Sequence, residues 1–173
     1  MISRRNVLKG LGLIAAGSII TPVQATTEPR KNNAGLFSYC LNTSTLSGQK
    51  TGFLKEFEIT AKAGYDGIEI WLRDLQKYLA EGGNLKELKK YIDDLGITVE
   101  NAIGFAEWMV DDEAQREAGI EQMKKEMDML AQIGCRRIAA PPAGVYNQPV
   151  SNWFEAAKRY RKILEIELGR AHV

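Results

Sequence analysis

The feature that most constrains this chain is a recurring junction, in which an amphipathic helix stops at a glycine and a short apolar strand begins. It is plainest at Ala63-Gly64-Tyr65-Asp66-Gly67-Ile68-Glu69-Ile70-Trp71, where a tight turn follows Gly64 and residues 68–71 read as a buried strand carrying one carboxylate. Glycine suits such a stop because the residue closing a helix commonly turns left-handed, a conformation that costs nothing without a Cβ. The junction recurs at Leu95-Gly96 before Ile97-Thr98-Val99-Glu100, at Ile133-Gly134 before Cys135-Arg136-Arg137-Ile138, and at Leu168-Gly169 before the last four residues. These glycines lie 32, 38 and 35 positions apart, which is room for one strand and one crossover helix each. Strict alternation of this kind implies a parallel sheet covered by helices.

Taken in order, residues 36–41 alternate large apolar and small polar side chains and read as strand one, with a loop from Asn42 through the Gly48 region. A helix over residues 52–63 places Phe53, Phe57 and Ala61 on one stripe. Strand two covers residues 67–71, and residues 72–80 form a partial helix stopped by Gly82-Gly83. Asn84 then caps a cleaner helix, with Glu87 in the return position of a capping box and Leu85, Leu88, Ile92 and Leu95 on its buried face. Strand three covers 97–102, followed by a long loop containing Phe105, Trp108 and Asp111; Asp112 caps the next helix. That helix buries Ile120, Met123, Met127, Leu130 and Ala131, its methionines acting as packing rather than metal ligands. Strand four covers 137–140 and ends in Pro141-Pro142-Ala143-Gly144. A last helix over 151–168 turns Trp153, Ala157, Tyr160 and Leu164 inward, and the tail from Gly169 opens strand five.

The first 25 residues read as an address. Ser3-Arg4-Arg5-Asn6-Val7-Leu8-Lys9 resembles the twin-arginine export motif, residues 10–20 form an apolar run too short for a permanent membrane anchor, and Val23-Gln24-Ala25 suits cleavage after Ala25. Export by the twin-arginine route to the periplasm is therefore expected, with residues 26–35 as a linker before the domain at 36–173. The leader holds three basic and no acidic residues, so the remainder carries 20 basic against 22 acidic groups. That balance gives no electrostatic reason for a nucleic acid or an anionic membrane as partner. Cys40 and Cys135 are too few for a disulfide scaffold and read as buried small hydrophobes.

In parallel α/β folds the chemistry lies at the C-terminal strand ends. That rule selects Tyr39 and Asn42 after strand one, Glu69 and Trp71 after two, Glu100, Asn101 and Phe105 after three, and Pro141-Pro142 after four. Glu69 sits inside an apolar strand, where an unpaired carboxylate is costly, so it lines a polar cavity or pairs with a base. Glu100 and Asn101 are adjacent, and strand alternation lets only one of them face inward. Trp71, Phe105 and Trp108 offer an apolar wall for a sugar ring or pack the barrel rim. The single histidine, His172, falls at the entry end of a strand, the wrong end for catalysis. Glycine-rich phosphate loops, a serine-hydrolase elbow and zinc-spaced histidine pairs are absent from the sequence.

The residues 64–71, the Leu-Gly-Ile-Thr-Val-Glu strand at 95–100, and the long helix before residues 133–138 together resemble the xylose isomerase-like TIM barrels, nearest the sugar phosphate isomerase/epimerase group. The resemblance covers nearly all of 36–173 and implies an α/β fold that is a partial (β/α)8 barrel, about four βα units plus the start of strand five. It implies metal-assisted proton transfer next to the carbonyl of a sugar or sugar derivative. A divalent cation (Mn²⁺, Mg²⁺, Co²⁺ or Zn²⁺) is implied, held by two Glu, one Asp and one His of later strands, which fall beyond Val173. No metal ligand is therefore assigned on this chain, and turnover is expected of a full-length protein rather than of this chain alone. What carries over is the substrate side, with Glu69 and Glu100 as candidate catalytic groups and Tyr39, Asn42, Trp71, Asn101, Phe105 and Trp108 as candidate sugar-binding residues. Open strand edges imply a partner, either a second copy or a C-terminal half lost by truncation. Two other readings are a non-catalytic periplasmic carbohydrate-binding or interaction module, and a flavodoxin-like domain, whose four-residue fifth strand is too short for a sheet centre.

Overall fold

A computed structural model describes residues 37–145 and 152–170, with side chains through 166. The expected leader, the linker, Leu36 and His172 lie outside the described residues. The order is β1 (Cys40–Asn42), a 3-10 helix (Thr43–Gln49), α1 (Phe53–Lys62), β2 (Gly67–Trp71), α2 (Leu72–Ala80), α3 (Leu85–Asp94), β3 (Thr98–Ile103), α4 (Glu113–Gln132), β4 (Ile138–Ala139) and α5 (Trp153–Arg170). The four strands pair in parallel in the order β1-β2-β3-β4, so each lies beside its neighbour in sequence. This is the α/β arrangement of a partial barrel, and among the described residues β1 and β4 are its edges.

Three of the glycine junctions form as the sequence requires, with Gly64, Gly96 and Gly134 at φ of 78°, 68° and 81°. The fourth does not: α5 runs on through Gly169 to Arg170, so the tail expected to open strand five is helical there. A glycine stops a helix only where the chain turns left-handed, and as an ordinary helical residue it merely weakens the helix. The helix starts follow the caps. Asn84 Oδ1 accepts from the backbone N–H groups of Lys86 and Glu87, and the Asp112 side chain accepts from Gln115 N.

The sheet face turned to the helices buries Ile68, Ile70, Val99 and Ala102 against Phe57, Leu75, Leu88, Ile92, Leu130 and Ile133. Each large side chain fully buried there contributes roughly 1.5–3 kcal/mol. A second cluster joins the loop after β3 to the last two helices: Ala106 and Trp108 pack on Ile120, Met123 and Ile163. Gly119 permits this approach, since a Cβ on it would stand 2.7 Å from the Glu107 carbonyl. The methionines of α4 are indeed core, with Met123 buried and Met127 packed beside it.

Several expectations are corrected. Strand one is shorter and later than residues 36–41, leaving Phe37 and Tyr39 exposed, because the chain there is tied to the turn before β2: Asp66 and Gly67 donate their N–H groups to Tyr39 O. Ala131 is exposed. The inward stripe of α5 is Ala156, Ile163 and Ile166, while Trp153, Ala157 and Leu164 face outward and Tyr160, half exposed, keeps its ring 5.8 Å from that of Trp108. Arg159 fixes that rotation by donating to Met109 O and pairing with Asp111 at 2.9 Å. Cys40 is exposed rather than buried, whereas Cys135 is buried as expected.

Candidate functional site

Residues on the other sheet face project into a concave space, and the register aligns them in rows. Asn42 pairs with Glu69, and Glu69 with Asn101, so one level across three strands carries amide, carboxylate, amide. Both amides bond to the carboxylate. Asn101 Nδ2 donates to Glu69 Oε1 at 2.6 Å, and Asn42 Nδ2 donates to Oε2. Asn42 is itself fixed, because its Oδ1 accepts from Ser44 N at 2.8 Å at the start of the 3-10 helix. Glu69 thus meets the sequence requirement for a strand carboxylate, that its charge be hydrogen-bonded.

Glu100 and Asn101 both reach this face. The pairing slips between Ile68/Glu69 on β2 and Val99/Asn101 on β3, leaving Glu100 as the extra residue of a β-bulge. A bulge suspends strand alternation locally, which overturns the expectation that only one of the two could point inward. Glu100 is braced by Thr98 Oγ1 at 2.5 Å and by Arg137 at 2.9 Å. Gly67 opposite gives it room, since a Cβ there would sit 2.6 Å from Glu100 Cγ. A glycine within an apolar strand is the sequence signal for such an approach.

Asn42, Glu69, Glu100 and Asn101, with Cys40 and the β4 entry at Arg136 and Arg137, line a cavity of about 600 Å³. Although Cys40 is largely exposed, partial desolvation of its sulfur beside the cavity, and then the negative charges of Glu69 and Glu100, push the thiol above its ordinary pKa. Sequence reasoning missed Cys40 and Arg137 at this surface. Of the other candidates, Trp71 stacks on Phe105 with centroids 5.4 Å apart and has the Arg73 guanidinium 4.3 Å from its ring. Trp108 is buried, and its indole N–H donates to Ala140 O and Pro141 O, so it anchors the loop after β4. Tyr39, Trp71, Phe105 and Trp108 are not brought to the Glu69 cavity.

Residues 57–171 match the family described as the xylose isomerase-like TIM barrel. The chain belongs to that family. Solved barrels share its fold. The IolI protein solved with a bound zinc atom superposes with a TM-score of 0.66 at 23% identity, over 79% of this chain and 48% of that one. A D-psicose 3-epimerase solved in the presence of D-fructose gives 0.59 at 21%, over 77% and 49%. The 3-keto-D-glucoside 4-epimerase of E. coli, in apo form, gives 0.53 at 22%, over 69% and 48%. The chain spans about half the length of each of these solved barrels. No curated protein matches it.

The divalent cation that the family resemblance implies does not fit the residues in place. Among the described residues no group of three or more His, Cys, Asp or Glu could hold a metal ion. Glu69 has an amide on each oxygen, and Glu100 is bound to Thr98 and Arg137. This wall is built to hold carboxylates as acceptors. Among the described residues no helix is long and apolar enough to cross a membrane.

Proposed function

We propose that this chain supplies the substrate-facing wall of a sugar isomerase or epimerase that moves a proton next to the carbonyl of a sugar or sugar derivative. The observation that carries this reading is the Asn42–Glu69–Asn101 row. Two amides from neighbouring strands hold the Glu69 carboxylate at a fixed angle and leave its remaining lone pairs toward the cavity. A carboxylate so held is ready to accept from a sugar hydroxyl and to take a proton, without first reorganising. Glu100 serves the same wall from below, its charge balanced by Arg137.

The relatives support the substrate class, two of those named being sugar or glycoside epimerases. The test is solvent deuterium incorporation beside the carbonyl of a ketohexose panel, followed by proton NMR, with protein produced from its natural gene. Wild type incorporates deuterium, and Glu69→Gln slows incorporation by about 10²-fold or more, the usual worth of a positioned acid-base group. Incorporation undiminished in Glu69→Gln, or sugar binding with no incorporation in wild type, would overturn the proposal.

Export by the twin-arginine route is part of the same proposal and rests on the sequence around Arg4-Arg5. Replacing both arginines by lysine is expected to leave the protein in the cytoplasmic fraction.

A further inference from the structure

The residues of β3 buried on the helix side of the sheet are Val99 and Ala102, three apart in sequence. Regular strand alternation returns a side chain to the same face every second residue, so one extra residue must stand between these two. The core therefore demands the bulge, but it does not fix how the extra residue, Glu100, is turned. The Glu100 carbonyl belongs to the planar peptide unit that leads into Asn101, the residue whose Nδ2 donates to Glu69 Oε1 at 2.6 Å. Rotation of that unit moves the Asn101 side chain with it.

Glu100 lies outside the β3–β4 ladder, which pairs Ala102 with Ile138 and Ile103 with Ala139. A side chain grips it instead. Arg137 Nη1 donates to Glu100 O at 3.3 Å and to Glu100 Oε2 at 2.9 Å, so one nitrogen holds both the peptide unit and the carboxylate of the same residue. Thr98 Oγ1 donates to the other carboxylate oxygen at 2.5 Å. The Arg137 side chain is 68% exposed, and an ion pair so open to water adds little to global stability. A contact that hardly stabilises the fold, yet fixes one peptide plane beside the Glu69 carboxylate, is placed to orient.

We propose that Arg137 is a positioning residue for Glu69: it fixes the peptide unit between Glu100 and Asn101, and through it the amide that Asn101 lays on Glu69 Oε1. The consequence for turnover rests on the proton-transfer reading of Glu69; the positioning itself does not.

The experiment follows the side-chain amide resonances of the full chain labelled with ¹⁵N, and Asn101→Asp and Asn42→Asp identify the two of interest by their loss. In Arg137→Met the Asn101 amide protons exchange with water about fivefold or more faster, the worth of one lost hydrogen bond. Those of Asn42 keep their wild-type rate, because Ser44 N holds that side chain from its other end at 2.8 Å. Arg137→Lys, which retains a donor of the same charge, restores most of the protection. Arg137→Ala, too short to reach Glu100, repeats the result of Arg137→Met by a second route. Arg136→Met removes an equal charge from the same cavity wall and leaves the Asn101 rate unchanged. An Asn101 rate unaltered in Arg137→Met and Arg137→Ala would overturn the proposal. An equal rise in Arg136→Met would overturn it too, by making the effect one of charge alone. The proton-transfer reading of Glu69 fails separately, on deuterium incorporation undiminished in Glu69→Gln, and that result leaves the effect of Arg137 on the Asn101 amide intact.

Discussion

Glu69 and Glu126 are two carboxylates each held by two side-chain amides, one facing a cavity and the other sealed between helices. On Glu69 the amides are distributed, one to each oxygen, and they come from strands on either side. On Glu126, which is only 2% exposed, Gln76 and Gln122 both donate to Oε1, at 3.1 and 2.8 Å. Its Oε2 is buried with no partner. The same partner chemistry therefore produces a usable acceptor in one place and an internal strut between α2 and α4 in the other. Amide pinning does not distinguish the two carboxylates; access to a cavity does.

That contrast can be attacked from both sides. The largest effect is expected from Glu69→Gln, with deuterium incorporation falling about 10²-fold or more, while Glu126→Gln leaves incorporation at the wild-type rate. Next comes Gly104→Ala beside the sealed carboxylate. Its Cβ would lie 2.8 Å from Leu72 Cδ1 and 3.0 Å from Glu126 Oε2. Urea unfolding should show a loss of about 1–3 kcal/mol, the usual cost of overpacking. Glu126→Gln itself should be neutral or stabilising by up to about 1 kcal/mol, since it removes a buried charge and keeps the shape. The smallest effect concerns Cys40. Its raised pKa means less thiolate at a given pH than a free cysteine has, so iodoacetamide alkylation should rise with pH later than for free cysteine. Removing the Glu69 charge lowers that pKa, so Glu69→Gln should speed alkylation a few-fold at pH 8, and Glu126→Gln should not change it.

The alternation of helices and strands was legible because it is written locally. A glycine after an apolar stripe and a cap residue before the next one need no knowledge of the far chain, and Gly64, Gly96, Gly134, Asn84 and Asp112 all act as their neighbours suggest. Glu69 was legible for a related reason, a charge inside an apolar strand being a local contradiction. What escaped depends on contacts distant in sequence. The bulge at Glu100 arises from pairing with β2, and only Gly67, some 30 residues earlier in the sequence, hints at it. The rotation of α5 is set by Arg159 reaching the loop at Met109 and Asp111, against an aromatic stripe that pointed to the other face. Trp108 looked like a sugar platform because aromatic side chains in a loop after a strand suit that role; its burial depends on α4 and α5 folding over that loop.

The central claim is that Glu69 is held for use rather than for stability, and measuring thermal unfolding and deuterium incorporation on one Glu69→Gln sample tests it most directly. A glutamine still accepts from one flanking amide, so the midpoint should stay within about 2–4 °C of wild type, equivalent to about 1 kcal/mol in a chain of this size, while incorporation is lost. A midpoint lowered well beyond that range, with incorporation retained, would contradict the claim and make the Asn42–Glu69–Asn101 row a structural tie.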